Sequence, residues 1–398
     1  MTKQLICLFF FYLSLSTFVQ GQAPVQTLSG AAEFSLITCT PGSDVYNTFG
    51  HSAIRLRDPY LTHDFVYNYG TFNFETPGFV MKFVERKLLY SLSKSHFRSF
   101  LNVYVVEGRG VAEQKLLLDS TQKQTLFNYL ENNYRPENRE YLYDFFYDNC
   151  ATIIRDVFQK TFGEKNIKYP STTEVGKGKR FRYYLDEYLQ HDPWLNFGID
   201  LILGLEADKR CDFEKQMFLP DYLAKNLGQA TLNGKPLMSE LVWLLPKPAP
   251  KSSKAGLFTP FSLTFSLFAI VMALTFFFSK KRGLQNTVDI ILYLIFGLIG
   301  YFLLFMWFGT DHIATQSNLN TFWANPLFIV LLFFNHRKVV NTNLFILRLI
   351  IFVFIGLSFL MFIAKFQEYN IAVLPIVLML GLRVGRGLFP YILKAHNA

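Results

Sequence analysis

A chain of 398 residues that is 51% hydrophobic and 17% aromatic is far too apolar for a disordered or low-complexity polypeptide. Its formal net charge of +9 is spread along the chain, which argues against nucleic acid as a partner and is compatible with an anionic lipid surface. No HExxH or CxxC pair and no Gly-rich phosphate loop occurs, so the sequence offers no metal site, and neither a cofactor nor a nucleotide is implied.

Residues 1–21 carry Lys3, the apolar stretch Leu5 to Phe18 and a small or polar end at Val19-Gln20-Gly21, the pattern of a cleavable secretory signal. The remainder is therefore expected outside the cytoplasm. Cys7 departs with the signal, leaving Cys39, Cys150 and Cys211 in an oxidising compartment, where an odd number leaves at least one free thiol. Whether Cys39 pairs with Cys211 stays open.

Residues 22–245 read as an α+β domain. The runs Phe34 to Thr38, Ser52 to Leu56, Phe65 to Tyr69 and Val103 to Val106 predict strands. Asp119-Ser120-Thr121 ahead of Leu126, Tyr129 and Leu130 predicts a helix start, with Thr121 and Gln124 at capping-box spacing. A second helix is expected from Cys150, because Ile153, Ile154, Val157 and Phe158 recur at helical spacing and Asp148 or Asn149 can cap it. Trp194 to Leu205 is apolar but too short to span a bilayer, so it reads as core or as an interfacial contact.

Residues 246–256 form a Pro/Lys/Ser linker, and 257–398 read as an all-α bundle of five membrane spans: Leu257 to Ser279, Val288 to Phe308, Phe322 to Phe334, Leu344 to Ala364 and Ile371 to Phe389. The third is short. Lys280, Lys281 and Arg282 follow the first span, and Arg337 and Lys338 follow the third, whereas residues 309–321 hold no Lys or Arg. That asymmetry predicts five crossings that begin outside, although Lys247, Lys251 and Lys254 precede the first span on its outer side. Arg348, Arg383 and Arg386 are expected to snorkel to the inner interface.

Two residues carry the candidate chemistry. Cys150 opens its helix in Tyr147-Asp148-Asn149-Cys150, where unpaired N–H groups and the helix dipole favour thiolate over thiol and are able to stabilise an oxyanion. His51 lies on a Gly-His step leading into a strand, placed to take the thiol proton and return it to a leaving group. Each residue alone has an ordinary structural explanation, a packed cysteine or a hydrogen-bonded histidine.

The pair and its surroundings resemble a known family. A strand histidine followed about a hundred residues later by Asn-Cys opening a helix looks like a circularly permuted papain-like (NlpC/LRAT-like) fold. More closely, Thr48-Phe49-Gly50-His51-Ser52-Ala53-Ile54-Arg55, Asn68-Tyr69-Gly70-Thr71-Phe72-Asn73-Phe74 and Asp148-Asn149-Cys150 resemble Lnb-type bacterial lipoprotein N-acyltransferases. The resemblance implies a multi-pass protein of the bacterial inner membrane with a periplasmic catalytic domain. It also implies transfer of an acyl chain from a membrane phospholipid, through a Cys150 thioester, to the α-amine of a diacylglyceryl-cysteine lipoprotein, with His51 as base and acid.

For the group that orients His51, Asp64 is favoured because an ionised carboxylate best supports imidazolium; Asn68 shares its strand parity, and His63 competes by its spacing from His51. Asn149, Tyr46 and His312 are candidate substrate contacts, the last within Thr310-Asp311-His312 in an outer loop, and Arg55 is a further polar candidate. A membrane-tethered cysteine amidase or peptidase acting on cell-wall peptide is the rival enzyme, since the same pair cleaves amides. A lipid- or lipoprotein-binding protein is the non-enzymatic rival.

Overall fold

The computed structural model describes residues 26–170, 178–249, 256–334 and 342–396, with the backbone alone for the last eight. The expected signal at 1–21, Lys251 and Lys254 of the linker, and Arg337 and Lys338 lie outside the described residues.

The N-terminal half is built on β1 (Glu33–Cys39), β2 (His51–Asp58), β3 (His63–Thr71), α1 (Phe79–Val84), β4 (Leu89–His96), α2 (Phe97–Glu107), β5 (Val111–Lys115), α3 (Ser120–Tyr134), β6 (Glu140–Leu142) and α4 (Cys150–Phe162). Next come β7 (Ile167–Lys168), α5 (Phe181–Leu189), α6 (Pro193–Ile202), α7 (Pro220–Gly228), β8 (Thr231–Leu232), β9 (Lys235–Pro236) and β10 (Val242–Leu245). Seven strands form one antiparallel sheet in the order β10-β5-β1-β2-β3-β4-β6.

Helices cover both faces of the sheet, which is why β1 is buried along nearly its whole length instead of alternating with solvent. On one face Phe34, Leu36, Ile54, Leu56 and Tyr67 meet Leu126 and Leu130 of α3 and Ile154, Val157 and Phe158 of α4. On the other, Ile37, Cys39, Ala53 and Val66 meet Phe97, Phe100 and Tyr104 of α2. The first three expected strands are present. Val103 to Val106 is instead the end of α2, because burying Phe97, Phe100 and Tyr104 on one stripe outweighs the local β-branched preference. The cap of α3 also differs from expectation: Asp119 and Gln122 bond reciprocally, Gln122 N–H to Asp119 Oδ1 at 2.8 Å and Asp119 N–H to Gln122 Oε1 at 2.9 Å.

The C-terminal half comprises α8 (Pro260–Phe277), α9 (Arg282–Phe308), α10 (Asn320–Trp323), α11 (Leu327–Phe334), α12 (Thr342–Ala364) and α13 (Val373–His396). Among the described residues three helices, α8, α9 and α12, are long and apolar enough to cross a membrane. The third expected span is broken into α10 and α11, because Pro326 has no N–H to continue the helix and Asn325 caps the next turn through Leu327 N–H at 3.0 Å. Arg383 does not snorkel. It is buried among α8 and α9, bonded to Thr275 Oγ1 at 2.7 Å, Gln285 Oε1 at 2.6 Å and Asp289 Oδ1 at 2.7 Å.

The two halves meet through α6 and the turns after α9 and α12. Phe197 and Leu201 pack on the helical core, so the apolar Trp194 to Leu205 segment is a contact with the membrane helices. Polar ties flank it: Gly204 N–H donates to Ala314 O at 2.9 Å, Asn318 Nδ2 to Leu201 O at 2.8 Å, and Asn370 Nδ2 to Asp200 Oδ2 at 3.0 Å. Beneath them, buried Arg182 pairs with Asp200 at 2.6 Å and Asp208 at 3.2 Å.

Candidate active site

Cys150 is the first residue of α4, and the turn before it is pinned from several directions. Asp144 Oδ1 accepts from the N–H groups of Phe146 and Tyr147, both at 3.0 Å, and Arg86 reaches Asp144 at 3.4 Å. Asn149 caps the helix by accepting from Ala151 N–H at 2.8 Å and Thr152 N–H at 3.0 Å. Its amide also donates to Phe145 O at 2.7 Å and Phe218 O at 2.8 Å. All four capacities of this side chain are used on backbone, so Asn149 positions the helix that Cys150 opens and has no capacity free for substrate.

His51 begins β2 opposite Cys39 of β1. Gly50 precedes it with φ +81°, and a Cβ there would stand 2.6 Å from Cys39 O, so glycine is required both for conformation and for space. Gly70 of β3 has φ +93°, so glycine is favoured there by conformation, and it faces α4: a Cβ there would lie 3.8 Å from Cys150 Cβ, an ordinary contact. These approaches bring the half-buried imidazole and half-buried sulfur into a hydrogen bond.

Electrostatics favour charge separation. Burial pushes the Cys150 thiol up, but the imidazolium charge, its hydrogen bond, and N–H donation from Ser52 and from Cys150 itself outweigh burial and hold it below the ordinary thiol value. For His51, burial pushes down, while the Cys150 sulfur and Asn68 raise it above the ordinary value overall. Both shifts favour a thiolate–imidazolium pair. The other two cysteines behave oppositely: burial pushes Cys39 and Cys211 each up to about 12, and both are free thiols not joined to each other.

Asn68 supplies the second contact of the imidazole, with Nε2 2.5 Å from its Oδ1. Asp64, the favoured sequence candidate, is elsewhere: it pairs Arg57 across the sheet and binds Arg55 at 2.7 and 2.9 Å. The reason is register. Asp64 and Asn68 share a sheet face but lie four residues apart, about 13 Å along the strand, so only Asn68, one diagonal step from His51, is within reach of it. His63 is farther still, its Nε2 3.0 Å from Gln26 Oε1. Arg55 is occupied by Asp64, by Glu113 at 3.1 Å and by the ring of Phe97 at 3.6 Å.

Tyr46 projects into solvent, 66% exposed, with its hydroxyl bonded to Asp44. His312 sits in the turn after α9 and contacts Phe83 O through Nε2 at 3.1 Å, so it joins the two halves. Burial lowers its pKa below the ordinary imidazole value. Three surroundings of the site escaped the sequence reading. The Ser52 N–H faces the sulfur; Tyr141 and Tyr143 lie within its electrostatic reach; and buried Arg109, bonded to Thr40 O at 2.8 Å and lying over the ring of Tyr104 at 4.7 Å, carries a charge that opposes protonation of the imidazole.

A sheet-based domain holding a Cys–His–Asn cluster, docked on apolar helices long enough to cross a bilayer, defines a membrane protein with a site outside the helices. Residues 24–175 match the model of the Lnb N-terminal periplasmic domain, and residues 251–394 match that of the Lnb transmembrane domain. The chain belongs to the Lnb family, as a membrane protein with a periplasmic domain. No curated protein and no solved structure matches it.

Proposed function

We propose that this protein is a lipoprotein N-acyltransferase of the bacterial inner membrane, with a permuted papain-like catalytic domain and a five-crossing membrane bundle. The observation that carries this reading is the hydrogen-bonded Cys150–His51 pair, completed by Asn68 and set at a helix start in a domain that docks on the apolar helices through Phe197 and Leu201. Residues 1–21 act as the export signal in this scheme, 22–245 as the catalytic domain and 246–256 as the linker.

The reaction has two halves. The Cys150 thiolate attacks the ester carbonyl of a phospholipid, forming a C–S bond and an oxyanion toward which the Cys150 N–H at the helix start is able to donate. Collapse breaks the ester C–O bond, and the imidazolium of His51 protonates the departing alkoxide to give lysophospholipid. The neutral α-amine of a diacylglyceryl-cysteine lipoprotein then attacks the thioester. His51, now neutral, takes the amine proton as the C–S bond breaks, and the thiolate–imidazolium pair returns. Asn68 Oδ1, accepting from Nε2–H, leaves Nδ1 for the sulfur and holds the ring in that tautomer.

Incubating the full-length protein with phospholipid vesicles tests this reading. An acyl mass on the peptide containing Cys150, removed by hydroxylamine and transferred to the N-terminus of an added diacylglyceryl lipopeptide, is expected. A Cys150→Ala protein that still N-acylates the lipopeptide refutes it.

A further inference from the structure

Helix α1 and the turn before it present an apolar surface that none of the described residues covers. Val80, Met81 and Phe83 are 72%, 57% and 50% exposed, and Phe74 beside them is also exposed. Most of a six-residue helix turned to solvent in this way would be a liability in a freely soluble domain.

Its position supplies the partner. The end of α1 is tied to the turn that follows α9: Asp311 N–H donates to Glu85 O at 3.1 Å, Arg86 Nη1 to Asp311 O at 3.1 Å, and His312 Nε2 contacts Phe83 O. Phe308, the last residue of α9, is only three positions from Asp311 and stacks on Trp307 at 4.8 Å. Across the junction, the ring of Trp194 of α6 lies tilted 5.1 Å from that of Phe258, just ahead of α8. Tryptophans at helix ends mark the headgroup level of a bilayer, and α1 is fastened at that level. Exposed Lys82, within α1, and Lys87, just after it, suit the phosphates there.

An unbroken row of rings runs inward from this surface. Phe83 stacks on Phe79 at 6.3 Å, Phe79 lies 5.9 Å from Phe72, Phe72 lies 5.2 Å from Tyr90, and Tyr90 lies 4.6 Å from Tyr143. Tyr143 directly precedes Asp144, which is bridged to Asp148 in the turn that leads into Cys150, and Phe72 is two residues from Gly70, where a Cβ would lie 3.8 Å from Cys150 Cβ.

We infer that α1 dips into the outer-leaflet hydrocarbon beside α9 and that the row from Phe83 to Tyr143 guides a lipid acyl chain to Cys150. The route's destination rests on the acyl-transfer reading, but the membrane contact does not, so the two fail separately.

The test places a reporter in the full-length protein reconstituted into phosphatidylethanolamine–phosphatidylglycerol vesicles. Val80→Trp is expected to add fluorescence that is quenched by lipids brominated near the top of the acyl chain and shielded from aqueous iodide. Tyr60→Trp, on the exposed β2–β3 turn, is expected to behave oppositely. Phe83→Glu is expected to slow acylation of Cys150 from vesicles about tenfold, the loss of one ring from the hydrocarbon, and to slow its reaction with a water-soluble short-chain ester markedly less. An iodide-accessible, lipid-insensitive Val80→Trp, as a soluble protein partner on this face would give, overturns the membrane contact. Parental acylation by Phe83→Glu, or an equal loss with the soluble ester, overturns the route.

Discussion

Replacing Asn149 by alanine isolates what holds Cys150 in place. The substitution removes an N-cap to two backbone N–H groups, which costs about 1 kcal/mol. It also strands Phe218 O, a buried carbonyl, at about 1–3 kcal/mol, whereas the partly exposed Phe145 O can turn to water. The sum is about 2–4 kcal/mol, which for a domain of this size lowers the melting temperature by about 5–15 °C. Asn149→Ser keeps an oxygen at the cap and loses only the carbonyl ties, so it should fall between the two. Scanning fluorimetry of the detergent-solubilised protein at one heating rate reads these differences. Because the cap holds the helix start whose Cys150 N–H donates to the sulfur, iodoacetamide labelling of Cys150 should also require higher pH in the alanine protein. An Asn149→Ala protein melting within about 1 °C of the parent, with unchanged labelling, would refute the claim that this side chain anchors the site.

Two further expectations concern the imidazole. Alkylation of Cys150 should rise with pH already below the range of a free thiol, because its pKa is held down; in His51→Ala the counter-charge is gone, burial dominates, and the rise should move to higher pH, as quantitative mass spectrometry of the labelled peptide would read. Asn68→Ala removes a bond to a charged ring, about 1.5–3 kcal/mol, and should slow thioester formation about 10- to 100-fold, while Asp64→Ala should leave the rate within about twofold, since it breaks an ion pair on a half-exposed carboxylate remote from the imidazole. Single-turnover acylation rates distinguish them, and a larger loss in Asp64→Ala would reverse the assignment.

What the sequence disclosed follows from how local each determinant is. Strands β1 to β3 were readable because their β-rich apolar runs are local, and the helix at Cys150 because Asn149 and the stripe of Ile154, Val157 and Phe158 lie within four turns of chain. Val103 to Val106 misled for the same reason: three β-branched residues announce a strand locally, but Phe97, Phe100 and Tyr104 bury together only as a helix against a sheet that the segment does not itself encode. The break at Asn325-Pro326 was visible as a short span, yet its consequence depended on helix neighbours.

The orienting residue was the least local of all. Parity put Asp64 and Asn68 on one face of β3, and chemical preference for an ionised partner then selected the wrong one. The choice is made by the β2–β3 pairing, Ile54 with Tyr67 and Arg57 with Asp64, which continued toward the turn at Gly50 sets His51 across from Gly70 and Asn68 beside Ala53. Charge settles the rest: Asp64 falls within reach of Arg55, whose guanidinium already lies over Phe97 and beside Glu113, so the carboxylate completes an ion cluster at the far end of the strand. A neutral amide beside His51 is then consistent with the pair it serves, because the negative charge that stabilises the imidazolium is the sulfur itself, and a second anion would compete with it for the same proton.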